Sequence, residues 1–133
     1  MEDYSDAAHR HFEDAKLLHE QEPARLANAS HLYGFSGECV LKAIMSRQSG
    51  QGVARKHLPD IVVEFLQHSV VKGNARLANR VKKTYESGLS GWQVSERYAH
   101  RLAPQFSTER INAESEAGQK LLNLLNHWQR GII

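Results

Sequence analysis

The sequence contains a single cysteine, Cys39, among its 133 residues. One thiol cannot form a disulfide within the chain and cannot supply a cysteine-rich metal knuckle, so a reducing, cytoplasmic location is expected. Long apolar runs are also missing, since no stretch approaches the roughly 20 residues that a membrane-spanning helix needs. The first residues are acidic and lack the basic start and apolar run of a secretion signal. We therefore expect neither membrane insertion nor signal-directed export.

Familiar metal and nucleotide motifs are absent as well. The eight histidines include no HExxH motif and no pair spaced by four residues. The sequence also has no GxGxxG, no Walker loop, no GxSxG and no CxxC. We predict no structural metal and no cofactor, and the enzymes built on the common nucleotide-binding folds are disfavoured.

The remaining composition is that of an ordinary globular domain. Hydrophobic residues make up 41% of the chain and charged residues 24%, values far from those of disordered or collagen-like sequences. A chain of this length can bury a real core but hardly two of them. Residues 1–133 are therefore expected to form one domain.

Apolar residues recur at helical spacing through the first part of the chain. One face of a predicted first helix, residues 4–20, carries Tyr4, Ala8, His11, Ala15 and Leu18. Pro23 suits the first turn of a new helix, where its missing N–H costs nothing. The second helix is therefore predicted from about residue 23 to residue 47.

Shorter helical segments follow. Glycines and polar residues at 46–57 predict a mobile connection, and the apolar run after Pro59 allows a short helix. Helical spacing resumes at 74–86, glycines interrupt it at 87–91, and Trp92 begins another short helix. Ser107 or Thr108 can cap a long final helix. The whole pattern predicts an all-helical bundle.

The second helix carries a face of mostly small residues, namely Ser30, Gly34, Gly37 and Leu41. A glycine inside a helix costs about 1 kcal/mol relative to alanine, so close approach of another helix would explain the two glycines. That contact could lie within the bundle or across a dimer. We expect a homodimer formed through this face.

A second face of the same helix is polar. His31, Glu38 and Lys42 fall within a narrow arc together with Phe35, and Glu38 and Lys42 can pair at i, i+4. This pattern is typical of an ion pair that holds a histidine at a solvated or partly buried surface. The alternative is a polar site shared with a ligand.

Positive charge is concentrated in the middle of the chain. Residues 42–83 hold nine Lys or Arg against two Asp or Glu, and no acid interrupts residues 65–85. A cationic stripe at helical spacing is formed by Lys72, Arg76, Arg80 and Lys83. Such a stripe can neutralise phosphates without reading sequence, although charge runs are often only solvated helix faces.

The segment WQVSERYAHRL, residues 92–102, is the best catalytic candidate. Arg97, His100 and Arg101 are predicted to lie one helical turn apart, which would place an imidazole beside two guanidiniums. The imidazole could take a proton from a ribose hydroxyl, and an arginine could stabilise charge on phosphate. Metal-free RNA cleavage by Arg97 and His100, with Arg101 as a phosphate ligand, is therefore conceivable. A simple surface cluster is the alternative.

The chain resembles the HEPN superfamily (higher eukaryotes and prokaryotes nucleotide-binding). The resemblance is carried by DAAHRHFEDAKLL at 6–18 and above all by ANASHLYGFSGECVLKAIM at 27–45, with KHLPDI at 56–61 and ERY at 96–98 in similar order. It implies an all-α, up-and-down bundle of four to five helices, frequent homodimers and no metal. It also implies work beside nucleotidyltransferase-like partners in bacterial defence, toxin–antitoxin or stress systems.

The resemblance also implies where catalytic residues would lie. Active members of that superfamily are endoribonucleases whose motif is an Arg, usually followed by a polar residue, and then a His after four to six intervening positions. Here Arg97 matches by position, but Tyr98 follows it and His100 comes after only two intervening residues. Arg25 and His31 have five intervening residues but stand at the start of the second helix, so we regard their spacing as chance. Because the chain departs from the catalytic motif, we favour a non-catalytic relative of the superfamily that binds a nucleotide or RNA.

The leading hypothesis is therefore a HEPN-like protein that binds RNA or a nucleotide. A metal-independent endoribonuclease acting as a homodimer is the enzymatic alternative. A protein-binding scaffold without nucleic-acid contact is the third.

Overall fold

A computed structural model describes residues 2–49 and 55–133, and within these ranges the protein is all-helical, without a strand. Its elements, in chain order, are α1 (Tyr4–Glu20), α2 (Leu26–Ser49), α3 (Asp60–Gln67), the single turn α4 (Ser69–Lys72), α5 (Ala75–Gly88), a 3₁₀ helix (Val94–Tyr98) and α6 (Thr108–Gln129). The predicted all-α bundle, with five helices longer than a single turn, is confirmed. No helix in the described ranges is long and apolar enough to cross a membrane.

The first and last helices match the sequence prediction closely. The N-terminus of α1 is capped by Asp3, whose Oδ1 accepts a hydrogen bond from the Asp6 N–H at 2.9 Å. The N-terminus of α6 is capped by Ser107, whose Oγ accepts from the Arg110 N–H at 3.2 Å. Each cap satisfies a backbone donor that has no partner within its helix, which is why these boundaries could be read from local sequence.

The second helix begins later than predicted. The N–H of Arg25 donates to the carbonyl of Leu18 at 2.9 Å, so residues 21–25 form a loop and α2 begins at Leu26. The expected start at residue 23 is therefore wrong. At its other end α2 continues to Ser49, into the predicted connection 46–57, whose residues 50–54 lie outside the described residues.

The short helices of the second half are confirmed, with one change of type. The apolar run after Pro59 forms α3, and the predicted helix at 74–86 is α5. The segment after Trp92 is a 3₁₀ helix of five residues, and Ala99 after it is extended, with φ −74° and ψ 151°. The helical turn predicted to join residues 97, 100 and 101 therefore does not form.

Helix α2 lies at the centre of the bundle. It packs against α1 on one side, where Ser36 Oγ donates to the carbonyl of Ala8 at 2.7 Å, and against α6 on another. Helix α5 packs in turn on α6. The core between these helices is made of fully buried side chains such as Tyr33, Ile44 and Leu125.

The small-residue face of α2 is filled from within the same chain. The indole of Trp92 occupies the space next to Gly34, where an added Cβ atom would overlap the ring. At Gly37, an added Cβ would lie 3.0 Å from a methyl group of Leu89 and 3.2 Å from one of Leu121. No second chain can reach this face, so the predicted dimer contact through it is wrong. The homodimer itself stays a prediction.

Candidate nucleic-acid interface and histidine cluster

Three of the predicted phosphate-binding residues share one side of α5. Leu77 and Val81 are fully buried against the core, which leaves Arg76, Arg80 and Lys83 exposed on the outer surface of the helix. Helix α5 is therefore strongly amphipathic, with an apolar face toward the core and a charged face toward solvent. The stripe predicted from sequence is therefore present along this helix.

Lys72 does not continue the stripe on the same helix. It ends α4, and α5 starts only at Ala75, after Asn74 accepts a hydrogen bond through Oδ1 from the Leu77 N–H at 3.1 Å. Two residues thus separate the turn that carries Lys72 from α5. The predicted continuous helical spacing from Lys72 is wrong, although its side chain is exposed.

Helix α6 completes a basic surface that the sequence analysis missed. A groove of about 290 Å³ separates α5 from α6 and is lined by Arg80 and Lys83 on one side and by Lys120 and His127 on the other. We call these four residues and the space between them the cationic groove. At the far end of the same helix pair, a Cβ atom at Gly88 would lie 2.5 Å from the carbonyl oxygen of Ala113. This close approach fixes α5 against α6.

The cations of this surface are not engaged by acids. Within residues 2–49 and 55–133 the salt bridges involve other side chains, such as Arg10 with Asp6 and Lys56 with Glu64. An acid, Glu86, lines a depression on α5 together with Arg76, Arg80, Lys82 and Lys83, but it forms no salt bridge with them. The positive charges of the cationic groove are therefore available to an anion.

Arg101 lies elsewhere. Together with Arg25 it lines a different groove, between the start of α2 and the segment 101–106. Arg101, predicted as a phosphate ligand, therefore does not lie beside the exposed cations of α5.

The polar site predicted on α2 is present, but it is more buried than a surface ion pair. Lys42 Nζ donates to Glu38 Oε2 at 3.1 Å, and the two residues are 8% and 2% exposed. The second carboxylate oxygen of Glu38 accepts from Nδ1 of His57 at 2.9 Å. Burying a charge is tolerated only with such partners. Glu38 therefore joins α2 to the segment before α3.

Three histidines from different parts of the chain surround Phe35. The ring centroids of His11, His31 and His57 lie 5.9, 4.6 and 5.8 Å from that of Phe35. Trp92 packs against two of these rings: its centroid lies 5.7 Å from that of Phe35 and 6.1 Å from that of His31, to which it is nearly parallel. We call His11, His31 and His57 the histidine cluster. Sequence spacing within α2 predicted only His31, because His11 and His57 arrive through tertiary packing.

The environment of the cluster favours neutral imidazoles at two positions. Burial lowers the pKa of His31, and the nearby charges of Arg97, His11 and His57 lower it further while Glu38 opposes them. Burial also lowers the pKa of His11, with Arg10 adding to the effect and Asp14 and Glu38 opposing it.

Arg97 and His100, the predicted catalytic pair, are not held on one helical face. Both are exposed, and Nδ1 of His100 accepts a hydrogen bond from the Leu102 N–H at 3.1 Å. The guanidinium of Arg97 stacks on the ring of Tyr98 at 4.8 Å. Arg97 is electrostatically coupled to His31 instead.

The 3₁₀ helix that carries Arg97 is fixed to α6 by an ion pair. Arg110 donates from Nη1 to Oε2 of Glu96 at 2.8 Å and from Nη2 to Oε1 at 2.5 Å. Although burial opposes it, hydrogen bonds from Arg110 and from the Gln93 N–H hold the pKa of Glu96 below its ordinary value. This forked contact determines where Arg97 stands.

Arg110 also reaches a buried acid, Glu114, through Nε at 3.3 Å. Burial raises the pKa of Glu114 to about 7, with Ser30 and Arg110 opposing the shift. The Oε1 atom of Glu114 has no hydrogen-bond partner in the described part of the chain. This residue belongs to the core and contacts neither candidate site directly.

In the described residues, no group of three or more His, Cys, Asp or Glu side chains is arranged to hold a metal ion. No family model, no characterised protein and no solved structure matches the chain. The function is therefore argued from the cationic groove and the histidine cluster themselves.

Proposed function

We propose that the chain is a HEPN-like protein that binds RNA, and that the cationic groove between α5 and α6 holds the RNA backbone. The observation that carries the proposal is the convergence of unpaired cations from two helices on one groove. A merely solvated face of α5 would not require Lys120 and His127 to stand opposite Arg80 and Lys83. The resemblance to the superfamily supports the same conclusion.

The spacing of the charges fits a polyanion. Arg76, Arg80 and Lys83 stand on one side of α5, and from the first to the last the helix rises about 10 Å. Lysine and arginine along such a line can neutralise successive phosphates and release their counterions, which requires no contact with base edges. We therefore expect binding to single-stranded RNA with little sequence preference.

The test is a binding titration of a short fluorescein-labelled RNA followed by anisotropy. The double variant Arg80→Glu with Lys83→Glu should weaken binding by at least about tenfold, because repulsion replaces attraction at two phosphates. A matched control, Arg10→Glu with Lys16→Glu, makes the same change of net charge on α1, where both cations are paired with acids. It should change the affinity by less than about threefold.

Three results would overturn the proposal of RNA binding at the groove. Equal weakening by both double variants would mean that only net charge matters and that the groove is not the site. Absence of any RNA association would favour the protein-binding scaffold. Displacement of the RNA by a mononucleotide at similar concentration would instead assign the groove to a nucleotide.

A second candidate function, metal-independent RNA cleavage, is supported by the histidine cluster rather than by His100. Glu38 is a pure acceptor when ionised, so Nδ1 of His57 carries the hydrogen, and Nε2 forms no hydrogen bond within residues 2–49 and 55–133. The side chain of His57 is 43% exposed. An imidazole oriented by a buried carboxylate is a common arrangement for proton transfer. His31 packs on the same Phe35 ring as His57, and the charge of Arg97 acts on His31.

The chemistry would require no other group. Neutral His31 takes the proton of a ribose 2′-hydroxyl, the 2′-oxygen bonds to phosphorus, and the bond from phosphorus to the 5′-oxygen breaks. Protonated His57, paired with Glu38, gives its Nε2 proton to the departing oxygen, while Arg97 stabilises charge on the phosphate. The products are a 2′,3′-cyclic phosphate and a 5′-hydroxyl.

Cleavage in EDTA distinguishes this candidate from RNA binding alone. His57→Asn keeps a donor to Glu38 and His31→Phe keeps an aromatic ring, yet each should reduce cleavage by about 100-fold or more. His9→Ala on α1 serves as the control and should leave the rate unchanged. If the protein binds RNA but does not cleave it, the cleavage function is excluded and RNA binding at the cationic groove remains. Loss of cleavage in His100→Ala, but not in His57→Asn, would return catalysis to the pair predicted from sequence.

The homodimer and a nucleotidyltransferase-like partner stay part of the proposal, as does a role in bacterial defence, toxin–antitoxin or stress systems. Because the small-residue face of α2 is filled, a dimer would need another surface. Tyr98 is 78% exposed and is available for such a contact. Light scattering at several protein concentrations measures whether a dimer forms.

A further inference from the structure

A groove of about 710 Å³ lies between the segment that enters α2, residues 23–28, and the segment that precedes α6, residues 101–106. It is separate from the cationic groove and shares none of its residues. Phe106 is 8% exposed and lies at the groove as part of the core. Backbone hydrogen bonds order both walls: the N–H of Arg25 donates to the carbonyl of Leu18, and that of Phe106 donates to the carbonyl of Ala103.

The lining of this groove is mostly aliphatic. Alanine, proline and leucine side chains from both segments face it, and Leu102 is 81% exposed. A single exposed leucine on a surface needs no explanation, but one that continues an apolar groove offers area to a partner. The only aromatic ring of the lining, Phe106, is too buried to stack on a nucleobase. This composition suits a peptide side chain better than RNA.

Charge in the groove has one sign. Arg25 and Arg101 line it from opposite segments, and no acidic residue is part of the lining. Neither arginine forms a salt bridge within the part of the chain that the structure describes. Two free guanidiniums at the edge of an apolar groove complement carboxylates placed on either side of an apolar anchor.

We propose that this groove docks an acidic peptide segment of a partner protein, with a leucine or phenylalanine of the partner inserted beside Leu102 and carboxylates paired with Arg25 and Arg101. The interaction is distinct from RNA binding, because its charges lie outside the cationic groove. Arg101, which the sequence grouped with phosphate ligands, thereby receives a different role. The short apolar anchor and paired charges predict a modest affinity in the micromolar range.

The probe is the labelled peptide acetyl-Glu-Asp-Leu-Phe-Glu-Asp-amide, titrated with the full chain. Two comparison peptides replace either the four acids by glutamine and asparagine or the Leu-Phe pair by Ser-Gly. The structure predicts that only the first peptide binds, since both the apolar anchor and the carboxylates are needed. If the peptide with glutamine and asparagine in place of the four acids binds as tightly as the acidic peptide, the proposal is overturned.

The protein variants make the test specific. Arg25→Glu with Arg101→Glu should weaken binding of the acidic peptide by at least about tenfold, and Leu102→Ser should weaken it by about fivefold or more. The Arg10→Glu with Lys16→Glu variant serves as the charge control and should bind normally. Because all of these side chains are exposed, thermal melting should confirm that the variants fold alike.

The same variants separate this inference from RNA binding. Arg25→Glu with Arg101→Glu should retain RNA affinity, and Arg80→Glu with Lys83→Glu should retain peptide affinity. If the first variant loses RNA and not peptide, the groove is a nucleic-acid surface and the inference fails. If peptide binding is weakened equally by the control, or if no peptide binds, it fails as well. A concentration-dependent dimer lost in Leu102→Ser, without peptide binding, would assign the groove to a second copy of this chain and also overturn it.

Discussion

The indole ring of Trp92 packs against the backbone of Gly34, and its Nε1 donates a hydrogen bond to the carbonyl of Ser30 at 3.0 Å. Trp92 thus fills the face of α2 that lacks side chains and ties the segment before the 3₁₀ helix to the centre of the bundle. Because His31 and Phe35 also contact this indole, the same residue forms the base of the histidine cluster. Core packing and the candidate site therefore share one side chain.

Gly34→Ala should destabilise the protein. A Cβ atom at this position overlaps the indole of Trp92, and overpacking a well-filled site costs about 1–3 kcal/mol. Alanine recovers about 1 kcal/mol of helix propensity, so we expect a net loss of about 1 kcal/mol in the free energy of unfolding, measured with urea. At Gly91 an added Cβ meets nothing within 4 Å, and Gly91→Ala is the control. Equal stabilities for the two variants would contradict the packing described here.

Glu114→Gln should stabilise the protein above pH 7 and not below pH 4.5. The pKa of Glu114 is about 7 in the folded protein against an ordinary value of 4.5. The folded state therefore holds a proton that the unfolded state has lost, and wild-type stability falls as the pH rises between these values. Glutamine does not ionise. The difference in unfolding free energy between variant and wild type should grow by about 3 kcal/mol across this window.

Urea unfolding at several pH values measures that difference. Arg110 keeps its forked contact with Glu96 in the variant, so the loss of its contact with Glu114 should cost little. A difference that stays flat with pH would mean that Glu114 ionises as easily when folded as when unfolded.

The imidazole of His31 should titrate below pH 6.5, and Arg97→Ala should raise that midpoint. Burial lowers the pKa of His31 first, and the positive charge of Arg97 contributes next. Removing the guanidinium of Arg97 takes away its positive charge, while burial of the imidazole continues to lower the pKa of His31. Proton NMR of the histidine ring signals as a function of pH measures both midpoints. An unchanged midpoint in Arg97→Ala would show that the two side chains are not neighbours.

The fold was largely predictable because the signals for helices are local. The bounds of α1 follow from apolar spacing, and the start of α6 follows from the Ser107 cap. The start of α2 was not predictable in the same way. It depends on a hydrogen bond from Arg25 back to Leu18, which proline placement alone does not indicate.

The candidate sites were predictable only where their members share a helix. Glu38 and Lys42 pair at i, i+4 as the spacing suggests. His57 and Lys120 reach their sites through packing between elements that are distant in sequence, so no periodic pattern identifies them. Arg97 and His100 show the converse, because their predicted proximity required a helix that ends at Tyr98.

The salt dependence of RNA binding tests the central claim most directly. With the three Lys and Arg side chains of the cationic groove on phosphates, the plot of log affinity against log salt should have a slope of about −2, since each contact on a single strand contributes about −0.7. Neutralising two of them, in Arg80→Gln with Lys83→Gln, should make the slope shallower by about 1.4. Identical slopes for wild type and variant, or an affinity independent of salt, would contradict RNA binding at this groove.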